Sequence, residues 1–304
     1  MRHVTCLRDI PWRAQVLVVE CKSAAKLRLA RPQAKVWLWM QGIFPEEALM
    51  HFDSRARERL QNMFERFSLP YVRGVFMVST AMQLHFRRKY PWLDVPSFVM
   101  PCANASLQAA AFRHPGKYEA PSFVYAGSLH KWQCFELTLE VYRRFKAKHP
   151  QARLSVFTAD AEMARRRVES AGLSDVEIGS LSLNELSARL AGFKYGFVLR
   201  ESHPVNQVAT PTKVSTYMAS GVIPIMTNAV SDYNDKLRAV GPLVFCESTQ
   251  PDSIVQEIMC LEHRQLHPET VLNNYRAAFE SYFEHGAYID GLSAFLERTG
   301  LSFC

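Results

Sequence analysis

The sequence predicts an α/β protein built on two doubly wound parallel sheets, and three observations carry that prediction. Between residues 16 and 100, short apolar runs of strand length alternate with helix-patterned segments, so that strand, helix, strand recurs three times. The same rhythm resumes at Ser122. From Tyr195 to Thr227 a βαβ unit is legible in full: Tyr195 to Leu199 and Ile223 to Met226 are strands, and a helix pattern lies between them. A chain of 304 residues suits two such domains, each able to bury a core of its own.

Val16 to Glu20 and Val36 to Met40 are β-branched and aromatic runs closed by polar or turn residues, and both are expected to be buried strands. SAAKLRLARP between them is a helix. In QGIFPEE, residues 41 to 47, Pro45 with Glu46 and Glu47 behind it suits a helix start favoured by the helix dipole. Ser54 to Phe67 places Leu60, Met63, Phe64 and Phe67 on one helical face, expected to turn to the core, with Arg55, Arg59 and Arg66 outside it. That basic outer face is also the best local candidate for a membrane-facing surface. Val75 to Val78 and Ser97 to Met100 are strands, joined by a helix that Ser79 or Thr80 caps and that runs through Tyr90. PCAN, residues 101 to 104, and the polar stretch Phe112 to Lys117 read as an interdomain linker.

Ser122 opens a strand that passes through a tight loop with Gly127 and Ser128 into a helix from about Gln133 to Lys148. The strand Arg153 to Thr158, the helix Ala161 to Ala171, a short strand at Val176 to Ile178 and the helix Leu183 to Ala191 follow. Val271 to Phe279 and Ala287 to Arg298 are closing helices. The expected division is therefore residues 1–112, 113–280 and a terminal helical segment 281–304. No internal repeat or low-complexity segment is present.

Chemistry concentrates in the βαβ unit. Thr210 stands where an N-cap belongs, Pro211 fits the first helical position and Gly221 is a stop after Met218 and Ala219, so the helix spans about 211 to 219. Its first turn, Pro211, Thr212 and Lys213, adds a hydroxyl and an ammonium to unpaired amides at the positive end of the dipole. A phosphate or diphosphate suits such a terminus; the alternative is an ordinary capped helix with Lys213 in water. YAGSLHK, residues 125 to 131, is a second phosphate candidate, because Gly127 lets backbone approach a ligand while Ser128 and Lys131, or His130, supply a hydroxyl and a charge. Arg200 and Glu201 follow a strand, where ligands collect in open α/β sheets. Arg200 either stabilises a departing anion or pairs with Glu201 at the surface. Asn206 binds a ligand or shapes its turn. His263 and His267 are four apart on an expected helix, yet without an acidic motif nearby no metal site is expected.

Composition sets the remaining bounds. With 48% hydrophobic and 21% charged residues the chain reads as a soluble globular protein, and its apolar runs fall far short of a bilayer span. The N-terminal MRHVTCLRDIPWR lacks the apolar core of a secretory signal. Seven scattered cysteines without a C-x-x-C pair read as reduced thiols in a cytoplasm. The net charge of +7 is uneven: residues 1–112 hold 16 Lys and Arg against 8 Asp and Glu, giving +8 and leaving about −1 for the rest. That excess would attract an anionic membrane surface or a phosphorylated acceptor. No nucleic-acid motif accompanies it, so no nucleic acid is expected.

LRESHPVNQVATPTKVSTYMASGVIPI resembles the donor-site segment of bacterial glycosyltransferases of the GT-B fold, family 4-like (glycosyltransferase group 1), of cell-envelope or capsule type. In that family a strand ending in Arg leads through an Asn and Pro-Thr-Lys to a helix ending in Tyr, small residues and Gly. QGIFPEE is similar to its Arg-Gly-x-x-Pro-Glu-Glu segment, with Gln41 in the Arg place. The resemblance implies two Rossmann-like domains facing a cleft: a shortened N-terminal acceptor-side domain, a C-terminal donor domain and a last helix returning toward the first. It implies transfer of a sugar, with retention, from a nucleoside-diphosphate-sugar donor to a glycan or lipid-linked acceptor in polysaccharide biosynthesis. The place implied is the cytoplasm, with peripheral contact at the inner face of the membrane. Arg200 and Lys213 would be catalytic, and Gly127, Ser128, Lys131, Glu201, Asn206, Thr210, Pro211, Thr212, Thr216 and Tyr217 would hold the donor. No cofactor beyond that donor substrate, and no bound metal, is implied. Thr216 stands where relatives have a ribose-binding Glu, and Val208 where the wider family has a Glu near the sugar. The alternative is a non-catalytic GT-B-like partner or pseudo-enzyme that binds a nucleotide or glycan. A doubly wound enzyme of another kind, such as an epimerase, leaves Pro-Thr-Lys unexplained.

Overall fold

The computed structural model describes residues 6–300, which form two compact α/β units. One gathers residues 6–102, 207–210 and 285–300; the other holds 103–206 and 211–284. The first boundary falls before the expected one at residue 112, because the segment taken for a linker packs on the second unit. There Phe112 is fully buried in the core beside Tyr275, and the Gln108 amide donates to the Ala219 carbonyl (2.8 Å).

In the first unit four parallel strands lie side by side in chain order: β1 (Gln15–Val18), β2 (Lys35–Met40), β3 (Gly74–Met77) and β4 (Ser97–Val99). The inner strand β2 buries Trp37, Leu38 and Met40, as its apolar run predicts. β1 departs from the expectation of a buried strand. It is an edge strand with one neighbour, and Leu17 and Val19 remain exposed. The helices are α1 (Cys21–Ala30), α2 (Phe44–Phe52), α3 (Arg55–Ser68) and α4 (Thr80–Lys89). Pro45 opens α2, and Glu47 Oε1 accepts the Ile43 amide (3.1 Å), so this glutamate serves the helix start. The C-terminal helix Ile289–Thr299 also belongs to this unit. Phe295 packs edge-on against Phe76 (5.1 Å between centroids), and Trp37 Nε1 donates to Thr299 Oγ1 (3.0 Å).

The helix α3 faces the opposite way from its expected orientation. Ser54 caps it by accepting the Arg57 amide, but Glu65 and Ser68 are the buried side chains while Leu60, Met63 and Phe67 are exposed. Charge pairing decides the outcome. Lys89 Nζ lies 2.9 Å from carboxylate oxygens of both Glu46 and Glu65, and the Tyr90 hydroxyl donates to Glu65 (2.7 Å). Turning the buried Glu65 outward would break its ion pair with Lys89 and its hydrogen bond from Tyr90.

The second unit contains six parallel strands: β5 (Ser122–Ala126), β6 (Arg153–Phe157), β7 (Val176–Gly179), β8 (Tyr195–Val198), β9 (Ile223–Thr227) and β10 (Val244–Cys246). Their spatial order is β10-β9-β8-β5-β6-β7. The chain starts in the middle with β5, moves out through β6 and β7, then returns to lay β8 on the other flank of β5. This reversal is the switch point of a doubly wound sheet. Its helices are α5 (Ala109–Phe112), α6 (Phe135–Lys148), α7 (Ala161–Ser170), α8 (Leu183–Leu190), α9 (Pro204–Gln207), α10 (Thr212–Ala219), α11 (Ser231–Leu237), α12 (Pro251–Glu262) and α13 (Pro268–Ala278). His263 is the C-cap of α12 and His267 the N-cap of α13, so the two do not share a helix as expected.

Two details of this unit fix the helix that matters most. Lys117, expected in a linker, is buried, and its Nζ donates to the carbonyls of Leu190 (3.2 Å), Ala191 (2.9 Å) and Ser220 (2.9 Å). It thereby ties the C-terminal ends of α8 and α10 together, while burial pushes its ammonium down to about 7. The Tyr217 ring of α10 lies on β8 at Gly196, where a Cβ would stand 2.4 Å from Tyr217 Cδ2. Gly196→Ala is therefore expected to cost about 1–3 kcal/mol, the usual penalty for forcing volume into a packed core. A urea midpoint equal to the wild type would show that the ring is free to move.

Candidate functional site

At the switch point the chain leaves β5 and β8 at their carboxyl ends, where a doubly wound sheet collects ligands. After β5, Gly127 takes φ +138°, a region open to glycine, and its amide donates to the Phe157 carbonyl (2.9 Å). Its missing side chain matters more. A Cβ here would lie 2.5 Å from Lys213 Cε and 2.9 Å from Lys213 Nζ. Gly127 thus makes room for the end of the lysine. Beneath that ammonium is Tyr125, with Nζ 4.1 Å from the ring centroid, and the phenol donates to the Ser128 carbonyl.

Arg200 arrives from β8. Thr227 of β9 latches its backbone: the Arg200 amide donates to Thr227 Oγ1 (3.0 Å), and that hydroxyl donates to the Arg200 carbonyl (2.6 Å). The guanidinium turns inward with 4% of the residue exposed, donating through Nη1 to the Trp132 carbonyl while Nε has no hydrogen-bond partner among the described residues. Glu201 is exposed and is not its mate, which removes the surface ion-pair alternative.

Both cations are held in an unfavourable state. Lys213 keeps some exposure as a residue, but its Nζ is buried without a hydrogen-bond partner among the described residues. Burial, and then the charge of Arg200, hold its ammonium well below the usual lysine range. Burial also lowers Arg200. The titratable groups that act on the two cations are the phenols of Tyr125 and Tyr233 and the thiol of Cys134, none of them a carboxylate. Two converging buried cations with no matching anion among the described residues are costly to a fold and suited to binding a multiply charged anion.

The helix behind Lys213 differs in detail from its prediction. α10 begins at Thr212 with Pro211 at the N-cap, so Thr210 is not the cap; its Oγ1 accepts the Cys102 amide (3.3 Å). Pro211 offers no side-chain acceptor, and its carbonyl accepts the Tyr233 hydroxyl (3.0 Å). The first amides of the helix, on Thr212 and Lys213, therefore open uncapped beside the two cations. The plain reading of Lys213 as a solvated lysine does not hold.

The other expected site residues take different places. Tyr217 is fully buried, and its hydroxyl accepts the Ala126 amide (2.8 Å), so it is a core strut between β5 and α10 rather than a ligand residue. Asn206 is 1% exposed and donates through Nδ2 to the Glu201 carbonyl (2.9 Å), which makes it a turn former. Thr216 Oγ1 lies 3.0 Å from both Asn104 Oδ1 and the Thr212 carbonyl. Lys131 is exposed on the 3-10 turn Lys131–Gln133, and Ser128 is half-buried beside Gly127. Val208 is buried, with its carbonyl accepting from Ser79 Oγ (2.6 Å). Sequence reasoning missed Tyr125 and Trp132. An aromatic two residues before a loop glycine was the available signal, but within a strand it reads as core.

No protein-family model matches the sequence, and no curated protein does. Solved structures do match. Sucrose-phosphate synthase from Thermosynechococcus elongatus superposes with a TM-score of 0.72 at 16% identity, covering 95% of this chain and 74% of that one. An alpha,alpha-trehalose-phosphate synthase (UDP-forming) from Burkholderia vietnamiensis gives 0.70 at 10% identity, with 96% and 74% covered. A variant of S. aureus TarM in complex with fondaparinux, alpha-GlcNAc-glycerol and UDP gives 0.62 at 11% identity, covering 87% of this chain but 51% of that one. This chain therefore spans about half the length of TarM. These neighbours are GT-B glycosyltransferases, and the two parallel sheets of four and six strands give this chain the GT-B fold.

Proposed function

We propose that this chain is a glycosyltransferase that moves a sugar, with retention of configuration, from a nucleoside-diphosphate-sugar donor to a glycan or lipid-linked acceptor. The observation that carries it is the pair of buried cations without a partner anion among the described residues, Lys213 Nζ and the Arg200 guanidinium, beside Gly127 at the switch point. In this scheme the diphosphate lies against them and the amides of Thr212 and Lys213, with Ser128 and Lys131 on the facing loop. As the bond from the anomeric carbon to the diphosphate breaks, negative charge grows on the leaving oxygen, where fixed donors are most effective. The acceptor hydroxyl enters on the same face. The donor is a substrate, and the scheme needs no separate cofactor; the cationic side chains and helix terminus do the work a metal ion would do.

Calorimetry and thermal unfolding with UDP and other nucleoside diphosphates test the site. The diphosphates should bind and raise the melting temperature, whereas the corresponding nucleosides should not. Equal effects from both would place recognition at the base and sink the diphosphate role of Lys213 and Arg200.

A second reading, a GT-B-like protein that binds the donor without turning it over, is favoured by the places of Thr216 and Val208. Thr216 is engaged with Asn104, and Val208 is a packing residue. A glutamate at 216 could accept both ribose hydroxyls, where threonine offers one short uncharged contact. Thr216→Glu is expected to tighten nucleoside diphosphate binding by about 1.5–3 kcal/mol, the worth of a hydrogen bond to a charged group. Weaker binding would show that position 216 does not face the ribose. Donor turnover by the wild type separates the two readings, since the non-catalytic one predicts binding without hydrolysis or transfer.

The lipid-linked acceptor is met in this proposal at the cytoplasmic face of a membrane, where the +8 of residues 1–112 draws the protein to anionic lipid. No helix among the described residues is long and apolar enough to cross a membrane.

A further inference from the structure

We infer that the outward face of α3 is a docking surface that inserts Leu60, Met63 and Phe67 into an anionic lipid bilayer. The inference supplies a surface for the peripheral contact proposed above and does not depend on the donor-site reading. At 100° per residue the three side chains form a single stripe, and they are 47%, 55% and 40% exposed. Arg59 and Arg66 flank that stripe on one side and Arg57 on the other, all exposed. An apolar stripe between basic flanks is the pattern of a helix lying in the plane of a membrane interface.

Aromatic side chains extend the stripe at both ends. Phe52 is exposed with the Arg57 guanidinium 3.9 Å over its ring. Tyr71 is exposed 6.0 Å from Phe67, with the Arg28 guanidinium 4.3 Å over its ring. Each arginine thus covers an apolar ring with its stem and plane while its charge stays available to a headgroup. Exposure of this kind is concentrated in the first unit. Of the 15 exposed large apolar side chains among the described residues, 13 belong to it, and only Met163 and Leu183 belong to the second.

The helix cannot hide the stripe by rolling. Its opposite face is committed to the buried Glu65, which is held by Lys89 and Tyr90. A second copy of this chain is a poor occupant, because a two-fold contact would set the flanking arginines against arginines. Anionic headgroups answer those charges, and acyl chains answer Leu60, Met63 and Phe67. The combination predicts behaviour that charge alone does not: attraction should depend on anionic lipid, but the inserted contact should resist screening.

Sedimentation of the full chain with phosphatidylcholine vesicles, with and without about a third phosphatidylserine, tests this at low salt and at about 0.5 M salt. The wild type should bind the mixed vesicles, ignore the neutral ones and keep part of its binding at high salt. Leu60→Ser, Met63→Ser and Phe67→Ser combined should lose at least about tenfold in binding, given the burial worth of such side chains. The nucleoside diphosphate thermal shift should stay intact, which separates loss of docking from loss of the donor site. Arg59→Gln with Arg66→Gln should weaken binding to mixed vesicles at low salt. Met63→Trp gives an independent readout, with emission expected to shift to the blue on mixed vesicles. Wild-type binding by the triple serine variant, no shift from the tryptophan variant, or a dimer that the triple variant abolishes would each overturn the proposal.

Discussion

Lys117→Met is expected to destabilise the protein by about 2–5 kcal/mol, since each buried carbonyl left without a donor costs about 1–3 kcal/mol. Methionine keeps an unbranched apolar stem as far as the lysine Cε and removes the donor group beyond it. The carbonyls of Leu190, Ala191 and Ser220 would then face an apolar methyl group at the ends of α8 and α10, where helix carbonyls already lack intrahelical partners. Relief of the buried charge offsets part of the loss, because burial already pushes the ammonium down to about 7. That opposing contribution gives the prediction a pH signature. Below about 7 the lysine is protonated whether folded or unfolded, and the folded state carries the full burden of the charge. Above that, the unfolded chain binds more protons than the folded one, so stability rises with pH until the ordinary lysine range is reached. The wild type should therefore exceed the variant by more near about pH 9 than near about pH 6, because the variant lacks this group. Urea unfolding of both proteins at the two pH values measures the gap. A constant gap would mean that the charge is not buried in the folded state.

The strands were legible because parallel sheets bury both faces, and their runs, such as Tyr195 to Leu199 or Val36 to Met40, are almost wholly apolar. The helix carrying Lys213 was legible for a different reason: Pro near its start and Gly at its end punctuate it whatever surrounds it. Orientation was another matter. The stripe on α3 could be found from its spacing, but which way it faces depends on Lys89, which is far from Glu65 in sequence and 2.9 Å from it in space. Lys117 was hidden within a polar stretch that has the composition of a linker, and its role exists only once two helix ends converge on it. At the site, the kinds of residue were readable and their depth was not. Tyr217 and Asn206 belong to the same segment as Lys213, yet the sheet takes the first into the core and the second into a turn. Gly127 was expected to admit a ligand by backbone approach. Its space holds the end of Lys213.

Lys213→Met is expected to move stability and binding in opposite directions. Lys213 Nζ has no hydrogen-bond partner among the described residues, sits beside Arg200, and is held well below its usual range by burial and that neighbouring charge. Removing an unmatched buried amine should raise the melting temperature of the ligand-free protein, as strained functional sites commonly do when relieved. Nucleoside diphosphate binding should weaken by about 1.5–3 kcal/mol, the worth of a hydrogen bond to a charged group. A structural lysine would show the reverse pattern, with lower stability and unchanged affinity. The lowered pKa adds a proton to the binding reaction. A bound diphosphate favours the ammonium and draws the pKa of Lys213 back up, so binding in the pH range above the free-state value takes up a proton. Affinity should accordingly fall as pH rises through that range, and the heat of binding should depend on the ionisation enthalpy of the buffer. Both dependences should vanish in Lys213→Met. If titrations of the wild type in two buffers give the same heat at every pH, the amine is not the group that meets the diphosphate.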